Sequence, residues 1–341
     1  MTRRLGTVVA AAVLTALAVA APAQAESTVT VLKGLTPKSF NIANAINDAG
    51  TAVGRSGTQG HVRAVKWNPD GAITDLGGPA DLEYLEATAI NNAGVIVGIG
   101  ERTLGDPARV IRYDLDGTYR ILGQMTGYSH VYSMGVDDEG LVYGEAWESS
   151  NGKRRALRWD LNGVPAALTV PAGYTQTSLG GASGNGFAVG NAFNLVAQSD
   201  NRAVRWNPDG TITLLPLPSG TKRSIARSVN RHGAVTGFVE PVTGHSRAVR
   251  WNPDGTITDL GASVQVQSDG SAINDSGVVL GTVQDADIGF RPVRWSATGE
   301  MTELPVVDGG WEYQPSGINS DGVMVGHDGS WPDEWAYRWT P

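Results

Sequence analysis

The chain has 341 residues, 34 acidic against 26 basic side chains, a formal net charge of −8 and no cysteine. Such a balance repels phosphate backbones, so nucleic acid is not an expected partner, and without thiols there are no disulfides, no thiol chemistry and no thiolate metal sites. At this length a single core nears its usual limit of about 250–300 residues, and repetition is one way past it.

The chain opens as an export signal: Arg3 and Arg4 precede an uncharged Ala/Val/Leu-rich run that ends at Ala23-Gln24-Ala25. Cleavage is expected after Ala25, leaving 26–341 as one domain, two units more negative for the loss of the arginines. General secretion fits better than twin-arginine export, because Gly6-Thr7 follows the arginine pair poorly. The leader is short and Ala-rich for an anchor, and no other stretch approaches the roughly 20 apolar residues of a spanning helix. The mature protein is expected to be secreted, extracellular and monomeric, with no stable membrane insertion.

After an unmatched segment, "STVTVLKGL" (27–35), the chain repeats itself. Each unit starts like "AINDAGTAVG" and closes like "RAVKWNPDGAITDL". A glycine pair marks seven copies, at Gly50/Gly54, Gly94/Gly98, Gly140/Gly144, Gly186/Gly190, Gly233/Gly237, Gly277/Gly281 and Gly322/Gly326. An aromatic column gives the same count independently: Trp67, Tyr113, Trp159, Trp206, Trp251, Trp295 and Trp339. Within a unit, "ATAIN" (87–91), "GVIVG", "RAVRW" and "GTITDL" read as four short strands. No stretch of the mature chain carries a convincing helical period.

The turn "NPDG" is spelled in full from Asn68 to Gly71, Asn207 to Gly210 and Asn252 to Gly255. Proline presets φ at its second position, Asp suits the third, and glycine takes the left-handed conformation. Asp114 to Gly117 and Asp160 to Gly163 relax everything but that glycine. Four strands per repeat, seven times over, predict an all-β, seven-bladed β-propeller with four antiparallel strands per blade. The last copy ends at Trp339-Thr340-Pro341 without a fourth strand. Thr28–Lys33 is expected to supply it, so that the N-terminal strand closes the last blade and covers an open edge.

Two further columns run through the copies. Ala64, Ala156, Ala203, Ala248 and Ala336, with Val110 and Pro292 as exceptions, form a small column that the large rings of a neighbouring blade could cover. Lys66, Arg112, Arg158, Arg205, Arg250, Arg294 and Arg338 form a basic one. Sevenfold recurrence suits a blade interface, whereas an active site needs one special copy. Paired heads and packed stems are therefore expected, in preference to a ring of anion-binding arginines.

At "AVRWNPDGTITDLG" and "AINDSGVVLG" the chain resembles the HAF-repeat family of bacterial exported proteins, over essentially the whole mature chain. Arg usually stands where that family has His, and Val, Ile or Leu where it has Phe. The resemblance implies an extracellular repeat protein; it brings no catalytic residues.

Polar chemistry is sparse. His61, His130, His232, His245 and His327 form no metal-binding motif. Gly181-Ala182-Ser183-Gly184-Asn185 falls one glycine short of a nucleophile elbow. Asp114-x-Asp116-Gly117 lacks the later ligands of a calcium loop. No cofactor or metal is expected.

Parity assigns the ends of the ring. The tight repeated turns lie on one face, and the irregular second-to-third loops and blade connections lie on the other, where binding usually sits. That face carries Tyr84, Tyr128, His130, Tyr132 and Trp147 from the first three units. Later units add Tyr174, Lys222, Arg223, Trp311, Tyr313 and Trp331. Aromatics there either stack on sugars and protein partners or plug loop bases. The expected function is a non-catalytic module that binds an extracellular glycan (a polysaccharide) or a protein through this face. The alternatives are a lyase or hydrolase with carboxylates such as Glu145 or Asp328 over the channel, and a purely structural repeat protein.

Overall fold

The computed structural model describes residues 27–58, 60–194, 197–261, 266–285, 289–307, 310, 312–329 and 334–341. The leader, Trp311 and Trp331 lie outside the described residues. The strands form seven blades of four antiparallel strands. Blade 1 runs Phe40–Ile46, Ala52–Thr58, His61–Trp67 and Ile73–Asp75. Blades 2 to 7 open on Tyr84–Ile90, His130–Val136, Gln176–Ala182, Thr221–Val229, Ser268–Ile273 and Gln314–Ile318. A single parallel bridge, Val62 to Tyr84, also joins the first two blades.

The chain's beginning completes its end. Thr28–Leu32 pairs with Ala336–Thr340, from Thr28 opposite Thr340 to Leu32 opposite Ala336, and gives the last blade its fourth strand. Across the same seam Asn319 Nδ2 donates to the Asn47 carbonyl at 3.2 Å and Ser316 Oγ to that of Ala43 at 2.6 Å. The ring is closed by both backbone and side chains.

In five blades the first strand stops before an Asn, because that Asn works in the turn; Asp137 and Ser183 take its place in blades 3 and 4. Asn91 Oδ1 accepts the Val95 N–H at 2.8 Å, and Gly94, at φ 92°, returns its own N–H to the Asn91 carbonyl at 3.0 Å. The second glycine of each pair answers a different demand. Every first strand carries a bulge, as between Ser133 and Gly135, that turns a carbonyl toward the second strand. A Cβ on Gly144 would lie 1.9 Å from the Tyr132 oxygen. Only glycine fits under the bulge.

Packing follows the two columns. Trp251 lies in one buried cluster with Ala203 of the preceding blade, Trp206 with Ala156, Trp295 with Ala248, and Trp67 with Ala336 across the seam. The indole N–H then reaches back to the connection from that preceding blade: Trp251 Nε1 donates to Pro216 and Trp67 Nε1 to Lys33, both at 2.8 Å. One side chain thus buries apolar area and satisfies a loop carbonyl.

Candidate functional site

The first strands of all seven blades enclose a central channel of about 600 Å³. The unpaired residue of each bulge borders it: Asn44, Thr88, Met134, Gly180, Arg227, Ser271 and Ser316; several also reach the next blade, as Asn44 Nδ2 donates to the Ala87 carbonyl at 2.9 Å and Ser316 Oγ to that of Ala43 at 2.6 Å. These seven positions share a backbone conformation and no common chemistry. The repeat builds the channel without dictating what lines it.

At the end that carries the tight turns, polar groups are committed to neighbouring blades. Asn47, Asn91, Asn230, Asn274 and Asn319 each donate Nδ2 to the backbone carbonyl of the same position one blade on, at 2.7–3.2 Å. Asp137 and Ser183 interrupt this relay, and Asn185 Nδ2 restores a link by donating to the Arg231 carbonyl at 2.7 Å. At the interruption Arg231 of blade 5 crosses blade 4 to pair with Asp138 of blade 3, while its Nε stays 3.6 Å from Asp275. Gly184 lies under the crossing: a Cβ there would lie 2.7 Å from Arg231 Nη2 and 2.8 Å from Asp138 Oδ2, so both side-chain ends would have to shift. The pair is a strap over part of the channel mouth.

The basic column belongs to this end as well. Arg250 Nη1 donates to the Gly277 carbonyl of the next blade at 2.9 Å and Arg338 Nη2 to that of Gly50 at 3.1 Å; Arg112 and Arg205 do the same to Gly140 and Gly233. Among the described residues no group of three or more His, Cys, Asp or Glu side chains could hold a metal ion.

The opposite end is different, and blade 3 stands out on it. In its sheet His130 pairs with Trp147, Tyr132 with Glu145, and Trp147 in turn with Arg154, so all five side chains share one face. The His130 ring lies 5.0 Å from that of Trp147 and 6.4 Å from that of Tyr132, nearly parallel to the latter at 7°. Arg154 covers Trp147 at 5.6 Å and reaches Glu145 Oε1 with Nη1 at 3.2 Å. Burial raises the Glu145 carboxyl above its ordinary range, opposed by Arg154 and by the Leu179 N–H. Burial, with Glu101 and Glu145 close by, also raises the Tyr132 hydroxyl. The three rings are half-buried, a shelf fixed by the sheet.

The other candidates divide. Tyr84 is bound into a network, its hydroxyl donating to Glu86 Oε2 at 3.1 Å beside Arg55 at 2.9 Å from the same oxygen. Tyr128 lies under Lys153, whose Nζ is 4.6 Å from the ring centre, and Tyr174 is half-buried against the core of blades 3 and 4. Lys222 and Arg223 both pair with Glu240, whose carboxyl is lowered because their hydrogen bonds outweigh the upward effect of burial. Tyr313 must be withdrawn from the binding face. It is fully buried, with its hydroxyl donating to the Val307 carbonyl at 2.8 Å, because the connection into blade 7 folds over it. Asp328 is a loop anchor at 1% exposure, accepting from the Trp335 N–H and the Tyr337 hydroxyl, each at 2.9 Å.

Sequence reasoning missed Arg154, although Lys153-Arg154-Arg155 is the one run of three cations in the chain. It also missed Phe193 and Asn201, which with Arg154, Ser178 and Arg223 line a separate cleft of about 270 Å³. Nothing in the sequence marks these two, since their meeting depends on the fan of the blades. Trp335, 45% exposed on a loop of blade 7, was missed as well.

No protein-family model matches the chain, and neither does any curated protein sequence. Solved structures match it by fold. Virginiamycin B lyase from Staphylococcus aureus aligns over 93% of this chain and 100% of its own, at 14% identity and a TM-score of 0.60. An oligogalacturonate lyase in complex with manganese aligns over 92% of each chain, at 12% identity and a TM-score of 0.63. The β-propeller domain of the trilobed protease from Pyrococcus furiosus, described as having an open velcro topology, aligns over 88% of this chain and 93% of its own, at 12% identity and a TM-score of 0.60. At these identities the likeness is one of fold, and the chain is a β-propeller whose own N-terminal strand completes its last blade.

Proposed function

We propose that this chain is an exported protein of the HAF-repeat kind that acts outside the cytoplasm as a non-catalytic binding module. It takes an extracellular glycan or protein on the face that bears the irregular loops. The observation that carries this reading is the shelf of His130, Tyr132 and Trp147, with ring separations of 5.0 and 6.4 Å on one rigid sheet. Half-buried rings suit stacking on sugar faces or anchoring an apolar side chain, and a sheet holds them at little entropic cost on binding.

The test is a glycan and cell-wall array probed with the mature protein and with Trp147→Ala. Binding that Trp147→Ala weakens at least about tenfold, or about 1.4 kcal/mol, supports the reading; an array showing no binding to either protein removes it. Export is tested separately, by N-terminal sequencing of protein recovered from the medium, which is expected to begin at Glu26.

A second reading, a propeller enzyme of the lyase or hydrolase type, is favoured by one observation. Glu145 is 5% exposed at the channel rim with its carboxyl raised by burial, a state suited to general acid work. Turnover of a bound glycan that Glu145→Gln abolishes without loss of binding would select it over the first.

A further inference from the structure

The cleft next to the aromatic shelf has a chemistry of its own. It is open to solvent, has a volume of about 270 Å³, and draws its lining from three blades: Arg154 from blade 3, Ser178, Phe193 and Asn201 from blade 4, and Arg223 from blade 5. Arg154 borders the shelf and the cleft alike, so the two adjoin.

Charge at this place runs against that of the whole molecule. The chain carries −8 overall, yet the third strand of blade 3 begins Lys153-Arg154-Arg155, and Lys222-Arg223 stand on the first strand of blade 5. Glu145 and Glu240 answer only part of it. Arg154 gives one nitrogen to Glu145, and its side chain stays 41% exposed. Arg223 shares Glu240 with Lys222 and stays 39% exposed. A guanidinium has five N–H donors in a planar fork, so both retain donors for a ligand. Phe193 adds an apolar side chain to the same lining, and Ser178 and Asn201 add polar ones.

We propose that this cleft binds one anionic sugar unit of a longer glycan. Arg154 and Arg223 grip its carboxylate or sulfate, and Phe193 packs on the ring's C–H face. The volume, just under the roughly 300–1,000 Å³ of small-molecule pockets, suits a single residue of a chain whose neighbours run onto the shelf. The inference rests on the binding reading above and narrows it to acidic glycans.

The test uses the mature protein and calorimetric titration with three probes: oligouronates, sulfated oligosaccharides and neutral glucan oligomers of equal length. Expected is binding to one or both acidic probes and at least about tenfold weaker binding to the neutral one. The acidic affinity should fall as salt rises. Arg154→Gln and Arg223→Gln should each lose about tenfold or more with little change in melting temperature; should Arg154→Gln misfold, Arg223→Gln carries the test alone. The carboxylated and sulfated arms distinguish the two sources of charge. Neutral oligomers binding as tightly as acidic ones, with Arg223→Gln inert and Trp147→Ala defective, would overturn this inference and leave the binding reading standing. Failure of all three probes, together with an empty array, would overturn both.

Discussion

The two ends of the ring are built on opposite rules. At the turn end the same groups recur from blade to blade: asparagine amides on carbonyls, arginines on glycine carbonyls, left-handed glycines closing the turns. At the loop end the side chains occur once each. The position that is Glu145 in blade 3 is Arg55, Ile99, Asn191 and Phe238 in four other blades, judged by strand pairing. What recurs holds the ring together; what occurs once serves either a ligand, as proposed for blade 3, or a single loop, as Asp328 does.

This contrast can be broken first in the shared interface. Trp251→Ala removes a ring that is 1% exposed together with its bond to the Pro216 carbonyl, and is expected to cost about 3–5 kcal/mol in chemical denaturation. The second glycine of the pair comes next. A Cβ at Gly237 would lie 2.0 Å from the Ile225 oxygen, so Gly237→Ala should cost about 1–3 kcal/mol or more as the bulge shifts. Asn230→Ala deletes one link of the relay and strips the buried Ala234 N–H of the Asn230 Oδ1 that accepts it, while the Asn274 carbonyl keeps the Gly277 N–H, a loss of about 1–3 kcal/mol. Losses below about 0.5 kcal/mol at all three positions would undo the division between the ends.

An effect absent at neutral pH sharpens the contrast further. His327, at the loop end, has a buried Nδ1 without a partner among the described residues. Burial, with Arg55 nearby, pushes its imidazole down from 6.5 to about 4. The unfolded chain takes up this proton near pH 6.5 while the folded one resists until about 4, so stability should fall as pH drops through that window. His327→Gln should flatten this part of the melting-temperature profile; an unchanged profile would show that the histidine is not held neutral.

Much of this was legible in the sequence, for identifiable reasons. The copy number, the turns and the closing strand rest on local residue chemistry, and Thr28–Leu32 takes its place within one residue of the expected end. The relay from the Asn of "AIN" was not legible, although the residue is spelled in five copies, because its partner is a carbonyl one blade away. The same holds for Gly184, which looks like a turn glycine in sequence and is the crossing point of Arg231 and Asp138 in space. Tyr313 shows the converse limit. An aromatic on a connection can plug the ring as readily as decorate it, and only the path of that connection decides.

The central claim, that ligands are taken at the loop end and not at the turn end, meets its most direct test in a paired binding measurement. Trp147→Ala on the shelf and Arg231→Gln on the strap are compared with the unaltered protein for affinity to the glycan it retains on the array, each first checked for an intact melting transition. Expected are at least about tenfold weaker binding for Trp147→Ala and unchanged binding for Arg231→Gln. Binding lost with Arg231→Gln and kept with Trp147→Ala would contradict the claim.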